Sequence, residues 1–171
     1  AGFNMKVTPE IESLTGICKE HTSLDLSLYQ KYDVKRGLRD INGKGVLAGL
    51  TQVSNVKATK IVDGKEVPCA GSLSYRGYDI KDLTRGFIED DRYGFEEVTY
   101  LLLFGELPTA RRLENFNKVI AEYRTLPATF VRDIIMKAPS SDMMNQLARC
   151  VLSLYSWDDN PDDTSIPNVV R

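Results

Sequence analysis

His21 is the only histidine of the chain, and it follows Cys18 by three residues, so the two can share a helical face. A thiol beside an imidazole makes a nucleophile for covalent catalysis. Such a site also needs an orienting third group, an oxyanion pocket and a walled cleft, and the neighbouring residues supply none of these. An ordinary, partly buried pair is the expected reading. Zinc asks for about four clustered ligands, which His21 with the scattered Cys18, Cys69 and Cys150 does not provide. No metal site is therefore expected. Gly43-Lys44-Gly45 with Gly49 has some of the spacing of a dinucleotide fingerprint, but that motif works only between a strand and a helix amino terminus. Here a charged loop precedes it and an extended stretch follows. The carboxylates of Asp158, Asp159, Asp162 and Asp163 lack the alternating ligands and distant Glu of a calcium loop, and read as a solvated acidic loop. Glu96 with Glu97, and Glu89 with Asp90 and Asp91, read as solvated charges near a helix amino terminus rather than paired acids. Met143-Met144 reads as helical core rather than a soft ligand pair.

Thr8-Pro9 has the form of a helix start, and Ile11, Leu14, Ile17 and Cys18 mark one face of that helix. Thr22-Ser23 offers a second cap, with Leu24, Leu28, Tyr29 and Tyr32 continuing an apolar stripe. Residues 33–45 read as a connection, and 45–55 turn extended. Asp63-Gly64 predicts a type I′ hairpin, because both residues tolerate the positive backbone angles that turn requires. Pro68 has no N–H for a ladder, so the ribbon is expected to end there or lie at an edge. Beyond Tyr93 the chain reads as consecutive helices. The first runs over Phe95–Phe104 and stops at Gly105. Thr109 caps a second, with Leu113, Phe116, Ile120, Tyr123 and Leu126 inward. A third runs from Pro127 to Pro139, with Phe130, Val131, Ile134, Ile135 and Ala138 on one side. Ser141 caps a fourth, with Met143, Met144, Leu147, Val151 and Leu154 inward. The expected division is a helical segment and connection over 1–44, a small β ribbon and turn over 45–80, and a helical part over 81–171.

The chain has 171 residues, 42% hydrophobic and 27% charged, with a net charge of −2, the composition of an ordinary globular domain. No basic stripe or zinc-finger spacing points to nucleic acid. No apolar run approaches the ~20 residues of a spanning helix, so no membrane partner is expected. An odd number of widely spaced cysteines argues for a reducing compartment and a cytoplasmic location. Ala1-Gly2-Phe3, ahead of Met5, reads as an expression scar.

The run from Tyr93 to Thr109, YGFEEVTYLLLFGELPT, resembles the FEEVAYLLLFGELPT signature of the citrate synthase family, differing chiefly at Thr99. Upstream, Gly71 to Ile80, GSLSYRGYDI, resembles the family's GxLxYRGYDI segment at the expected distance. Leu126-Pro127 and the helix after it fit the next family element. The resemblance runs from about Gly37 to the end. It implies a mainly α fold: a multi-helix portion of the family's large domain with a small β hairpin near the amino terminus. One departure stands out. Members commonly carry His-Pro-Met before the helix that here begins near Ser141-Asp142-Met143, and only Met143 matches.

The resemblance implies condensation of acetyl-CoA with oxaloacetate and hydrolysis of the citryl thioester, with no cofactor beyond the acetyl-CoA substrate. In the family an Asp removes the methyl proton, one His supports the enolate, a second His polarises the oxaloacetate carbonyl, and arginines hold its carboxylates. These lie beyond the matched region, so no catalytic residue is assigned. The chain is expected to be a truncated amino-terminal part, inactive alone, of a cytoplasmic homodimer. Arg39, in Gly37-Leu38-Arg39, lies where members have a Gly-x-Arg segment whose arginine contacts a coenzyme A phosphate. The alternative is a solvent-facing arginine. Arg76, in the Tyr-Arg-Gly-Tyr turn, is expected to hold that turn through carbonyl or carboxylate contacts. Two other functions compete: a 2-methylcitrate synthase using propionyl-CoA, and a noncatalytic helical binding or dimerisation module.

Overall fold

The computed structural model describes residues 7–171; the reading of Ala1-Gly2-Phe3 lies outside the described residues. In chain order the elements begin with helix α1 (Pro9–Glu20) and the short α2 (Ser27–Lys31). Strands β1 (Ser54–Val62), β2 (Lys65–Tyr75) and β3 (Tyr78–Asp79) follow. Helices α3 (Ile80–Glu89), α4 (Phe95–Phe104) and α5 (Ala110–Tyr123) come next. A π-helical segment (Val131–Met136), α6 (Met143–Leu154), a 3-10 turn (Tyr155–Trp157) and α7 (Ile166–Val170) complete the chain. The fold is mainly α with one small antiparallel sheet, as expected. No helix among the described residues is long and apolar enough to cross a membrane. The described residues form two compact units, one of 7–17 with Glu114–Arg171 and one of Cys18–Leu113.

In the first unit the Thr8 hydroxyl accepts the Ile11 N–H at 3.4 Å, the cap its position predicts. Ile11, Phe116, Pro127 and Phe130 are buried here. Phe130 meets Trp157 edge to face at 5.5 Å, a contact worth about 0.5–1.5 kcal/mol beyond its area. Four expectations fail in this unit. The stretch after Pro127 winds as a π helix rather than an α helix, and Val131 and Ala138 are left exposed. Leu126 lies beyond the end of α5 and is also exposed. On α6 the apolar stripe faces outward: Met143, Met144, Leu147 and Val151 are 59–80% exposed. Gln146, Cys150, Ser153 and Leu154 occupy the covered side, and α6 lies against the π-helical segment. Spacing defined the stripe correctly, but the elements available in this unit cover the more polar face. The α6 cap is Asp142, which accepts the Asn145 N–H at 3.0 Å, rather than Ser141.

In the second unit Asp63 and Gly64 have φ of 51° and 74°, giving the expected type I′ turn between Val62 and Lys65. The ribbon does not end at Pro68 but lies at an edge there, the other expected alternative, because β3 pairs with β2 only at Ser74 and Tyr75. The register also shifts there, from Lys57 opposite Ser72 to Thr59 opposite Pro68, so Cys69, Ala70 and Gly71 face Ala58 alone. A bulge accommodates the missing N–H, and β2 continues to Tyr75. Two helices differ from expectation. Residues 22–32 yield only the short α2, entered through the Asp25 carboxylate, which accepts the Ser27 N–H at 2.9 Å. Thr22 instead donates to the Lys19 carbonyl at 3.4 Å and so closes α1. Helix α3 has an unforeseen cap, Asp79, whose carboxylate accepts the Lys81 N–H at 2.8 Å.

Helix α4 has the expected bounds. Gly105 ends it at φ 81° and donates to the Leu101 carbonyl at 2.9 Å. Tyr100, Leu101 and Phe104 are buried, and the Tyr100 and Phe104 rings lie 4.7 Å apart. Burial raises the Tyr100 phenol above its ordinary range. The helix is not covered all round, however: Phe95 is 72% exposed and Leu103 52%.

Candidate functional site

Residues 35–47 form a loop with its own backbone ladder. The Lys35 N–H donates to Leu47 O at 2.8 Å, Val46 to Leu38 at 3.3 Å, and Asp40 to Lys44 at 2.8 Å. Arg39 and Gly45 pair as an isolated β-bridge within it. The turn closes where the Gly43 N–H donates to Asp40 O at 2.9 Å, with Gly43 at φ 77°. Asn42 Oδ1 accepts the Lys44 N–H at 3.0 Å.

Arg39 is exposed on this loop, and its Nη1 donates to the Gly43 carbonyl at 2.8 Å. One of five N–H donors thus fixes the guanidinium over the turn, and the planar fork keeps further donors for an oxyanion. Lys44, beside it in sequence, pairs with Glu66 at 3.3 Å and so ties the loop to β2. The Thr59 hydroxyl, and then Lys44, hold the Glu66 carboxyl below its ordinary range. A basic loop anchored on a strand and ending in a restrained arginine can bind a phosphate. Its one carboxylate, Asp40, accepts the Ile41 N–H at 2.7 Å.

Arg76 does more than its turn predicts. Its Nε and Nη2 donate to the Leu102 carbonyl at 3.3 and 3.0 Å, and its Nη1 donates to the His21 carbonyl at 3.2 Å. Leu102 is in the last turn of α4, where carbonyls lack helical partners, and His21 immediately follows α1. A cation at these carbonyls satisfies their lone pairs and opposes the negative end of the helix dipole. The expected carbonyl contacts are present, but they reach remote elements rather than the turn itself. Nothing in the local sequence names those partners.

The remaining candidates are not brought together. His21 lies over Gly105, where an added Cβ would come within 2.6 Å of the histidine Cβ and Cγ. Its backbone N–H donates to Cys18 O at 3.2 Å. Of the acidic pairs, Glu97 is not a solvated charge: it is ion-paired with Arg92 and only 14% exposed, while Asp90 meets the same guanidinium at 3.0 Å. The Glu97 and Asp90 hydrogen bonds raise Arg92 above its ordinary range. In the acidic loop, Asp158 pairs with Arg171 at 2.6 Å and Asp162 accepts the Tyr155 hydroxyl at 2.9 Å. Asp163 accepts the Ser165 N–H at 2.9 Å. Three of the four carboxylates thus have separate partners, and no group of three or more His, Cys, Asp or Glu that could hold a metal ion converges among the described residues. Met143 and Met144 are exposed rather than core.

The described residues form a mainly helical fold carrying a short antiparallel ribbon. The family model "Citrate synthase, C-terminal domain" matches residues 38–171, and the chain belongs to the citrate synthase family. It is 34% identical over 128 residues to 2-methylcitrate synthase 1 of Corynebacterium glutamicum, an overlap covering 75% of this chain and 28% of that protein. It is 33% identical over 132 residues to citrate synthase of Haloferax volcanii, covering 76% and 29% respectively. A third relative, citrate synthase of C. glutamicum, is 40% identical over 97 residues, covering 55% and 21%. The chain thus spans less than a third of the curated relatives it matches.

Proposed function

We propose that this chain is part of an enzyme that condenses an acyl-CoA with oxaloacetate, with acetyl-CoA as the acyl donor and citrate as the product. The observation that supports this most is the family match over residues 38–171, which includes both motif segments, 71–80 and 93–109. Removing a proton from a thioester methyl needs a carboxylate base beside a donor that stabilises the developing enolate. No residue of this chain is matched to the Asp and His roles that the family resemblance implies, so the chain alone is expected to be inactive and the chemistry to reside in the rest of the enzyme. The test follows thiol release from acetyl-CoA with and without oxaloacetate. The longer protein carrying this chain should show oxaloacetate-dependent release, and the 171-residue chain should show none.

The contribution of this chain is Arg39. Its guanidinium, restrained by Gly43 O, is read as a contact for a coenzyme A phosphate. Arg39→Ala should raise the acyl-CoA constant about tenfold or more, as loss of a charged hydrogen bond does, and leave the oxaloacetate constant nearly unchanged. An unchanged acyl-CoA constant would return Arg39 to a solvent role.

A second reading is favoured by the relatives called 2-methylcitrate synthase, among them those of C. glutamicum and Mycobacterium tuberculosis. Propionyl-CoA differs from acetyl-CoA by one methylene, worth about 1–3 kcal/mol of discrimination, so relative kcat/KM for the two donors decides between them. We also read the enzyme as a cytoplasmic homodimer. The outward apolar face of α6 and exposed Phe95 and Leu103 on α4 support association. Sedimentation over a range of concentrations tests it, and a monomer throughout would favour the noncatalytic module.

A further inference from the structure

We infer that Asn42-Gly43 is a site of spontaneous deamidation, and that the carboxylate it creates acts as a slow charge switch on the Arg39 loop. Asn42 is followed by glycine, whereas every other asparagine of the sequence precedes a residue with a side chain or Pro161. Cyclisation requires the following backbone nitrogen to reach the asparagine side-chain carbonyl carbon, and a Cβ on the following residue obstructs that approach. Gly43 has none, and nothing lies within 4 Å of where one would stand. Asn42, Gly43 and Lys44 are all exposed, so water and hydroxide reach the site.

Two hydrogen bonds set the chemistry in opposite directions. The Lys44 N–H donated to Asn42 Oδ1 at 3.0 Å polarises the amide carbonyl and favours the oxyanion formed on attack. The Gly43 N–H is donated to Asp40 O at 2.9 Å, so the turn must open before that nitrogen loses its proton. Opening of an exposed turn of this size is a local event. Once deprotonated by hydroxide, the Gly43 nitrogen bonds to Cγ of Asn42. The Cγ–Nδ2 bond breaks, and the side-chain nitrogen takes a proton from water and leaves as ammonia. The resulting cyclic imide adds one water. Opening at one C–N bond gives aspartate and opening at the other gives isoaspartate, each with a new carboxylate and a released proton. No oxidant or reductant takes part.

The product lies one residue from the carbonyl that holds Arg39. A carboxylate there competes for the guanidinium, and isoaspartate also lengthens the main chain between Ile41 and Gly43. This consequence, unlike the deamidation itself, rests on the reading of Arg39 as a phosphate contact. The loop would then lose affinity for its anion as the protein ages, without any enzyme.

The test has two arms. The chain is held at mildly alkaline pH, digested with trypsin and mapped by mass spectrometry, with isoaspartate labelled by isoaspartyl methyltransferase. The peptide Asp40–Lys44 should gain the mass of an amide-to-acid conversion and the label ahead of every other asparagine peptide. Asn42→Gln should abolish both. Conversion of another asparagine peptide first, with Asp40–Lys44 intact, overturns the site. In the second arm Asn42→Asp should weaken the acyl-CoA constant of the longer enzyme about two- to fivefold, the scale of one exposed charge pair, with the effect shrinking as salt is raised. If Arg39→Ala weakens that constant and Asn42→Asp does not, the switch falls and the Arg39 reading stands. If neither moves it, the Arg39 reading falls and takes the switch with it, while the modification site is judged on the peptide map.

Discussion

Two turns in this chain share a backbone conformation and differ in everything else. Asp63-Gly64 joins β1 to β2, and Arg76-Gly77 joins β2 to β3; all four residues have positive φ, at 51°, 74°, 49° and 91°. Each closes a two-residue hairpin, between Val62 and Lys65 and between Tyr75 and Tyr78. The first turn tips a ribbon whose β1 residues are exposed along its whole length. The second sends its arginine to carbonyls 26 and 55 residues away in sequence. A turn's shape is thus a local matter of which residues tolerate positive φ. Its weight in the fold depends on what its side chain can reach.

The comparison is broken most directly at Arg76. Arg76→Ala removes three charged hydrogen bonds to the Leu102 and His21 carbonyls, at about 1.5–3 kcal/mol each before discounting for partial exposure. A net loss of about 3 kcal/mol in urea unfolding is expected. Arg76→Lys should recover part of it, since an ammonium keeps the charge but not the fork. A variant as stable as the parent would show that the two carbonyls are as well served by water.

The turn glycines sharpen the contrast. Neither has an atom within 4 Å of an added Cβ, so the cost of Gly→Ala at either is backbone strain of about 1–2 kcal/mol. Gly77→Ala should lower the global unfolding free energy by that amount. Gly64→Ala should instead appear as faster hydrogen exchange around Val62 and Lys65, with global stability almost unmoved, because an exposed ribbon opens on its own. Equal global losses would mean that the ribbon and the rest of its unit unfold together.

The smallest effect lies at the ribbon's attachment to the Arg39 loop. Glu66 titrates below its ordinary range because it accepts from the Thr59 hydroxyl and pairs with Lys44. A depressed folded pKa contributes stability above the unfolded value and loses it as pH falls through the folded one. Loop and ribbon should therefore loosen on acidification through that range, seen as a shift of the Lys44 amide resonance. In Glu66→Gln that pH dependence should vanish. Glu66 is exposed, so global stability should scarcely register it.

Much of the fold was legible from one-dimensional signals with a local cause. Gly105 after an apolar run, Thr8 and Thr109 ahead of helices, and Asp63-Gly64 between alternating residues each act within a few residues of themselves. The Thr109 hydroxyl accepts the Arg112 N–H at 3.3 Å as its place predicts. The misreadings have a different cause. Apolar spacing on α6 defined a stripe but carried no information on which neighbour would lie against it. Asp79 went unnoticed as a cap because it ends a stretch that reads as ribbon and turn, although Ile80, Leu83 and Phe87 after it recur at helical spacing.

The sequence by itself determined the family, through two motifs in order, and the local conformations that Gly, Pro, Thr and Asp impose on their own backbone. It also determined that Asn42 precedes a glycine. Only the tertiary structure decided that Arg76 reaches the carbonyls of His21 and Leu102, that Arg92 gathers Asp90 and Glu97, and that Arg39 is restrained by the carbonyl of Gly43. The physical reason is range. Steric preferences act over one to four residues and are written in the sequence. Hydrogen bonds and ion pairs act through space, and their partners are settled only when the chain has folded back on itself.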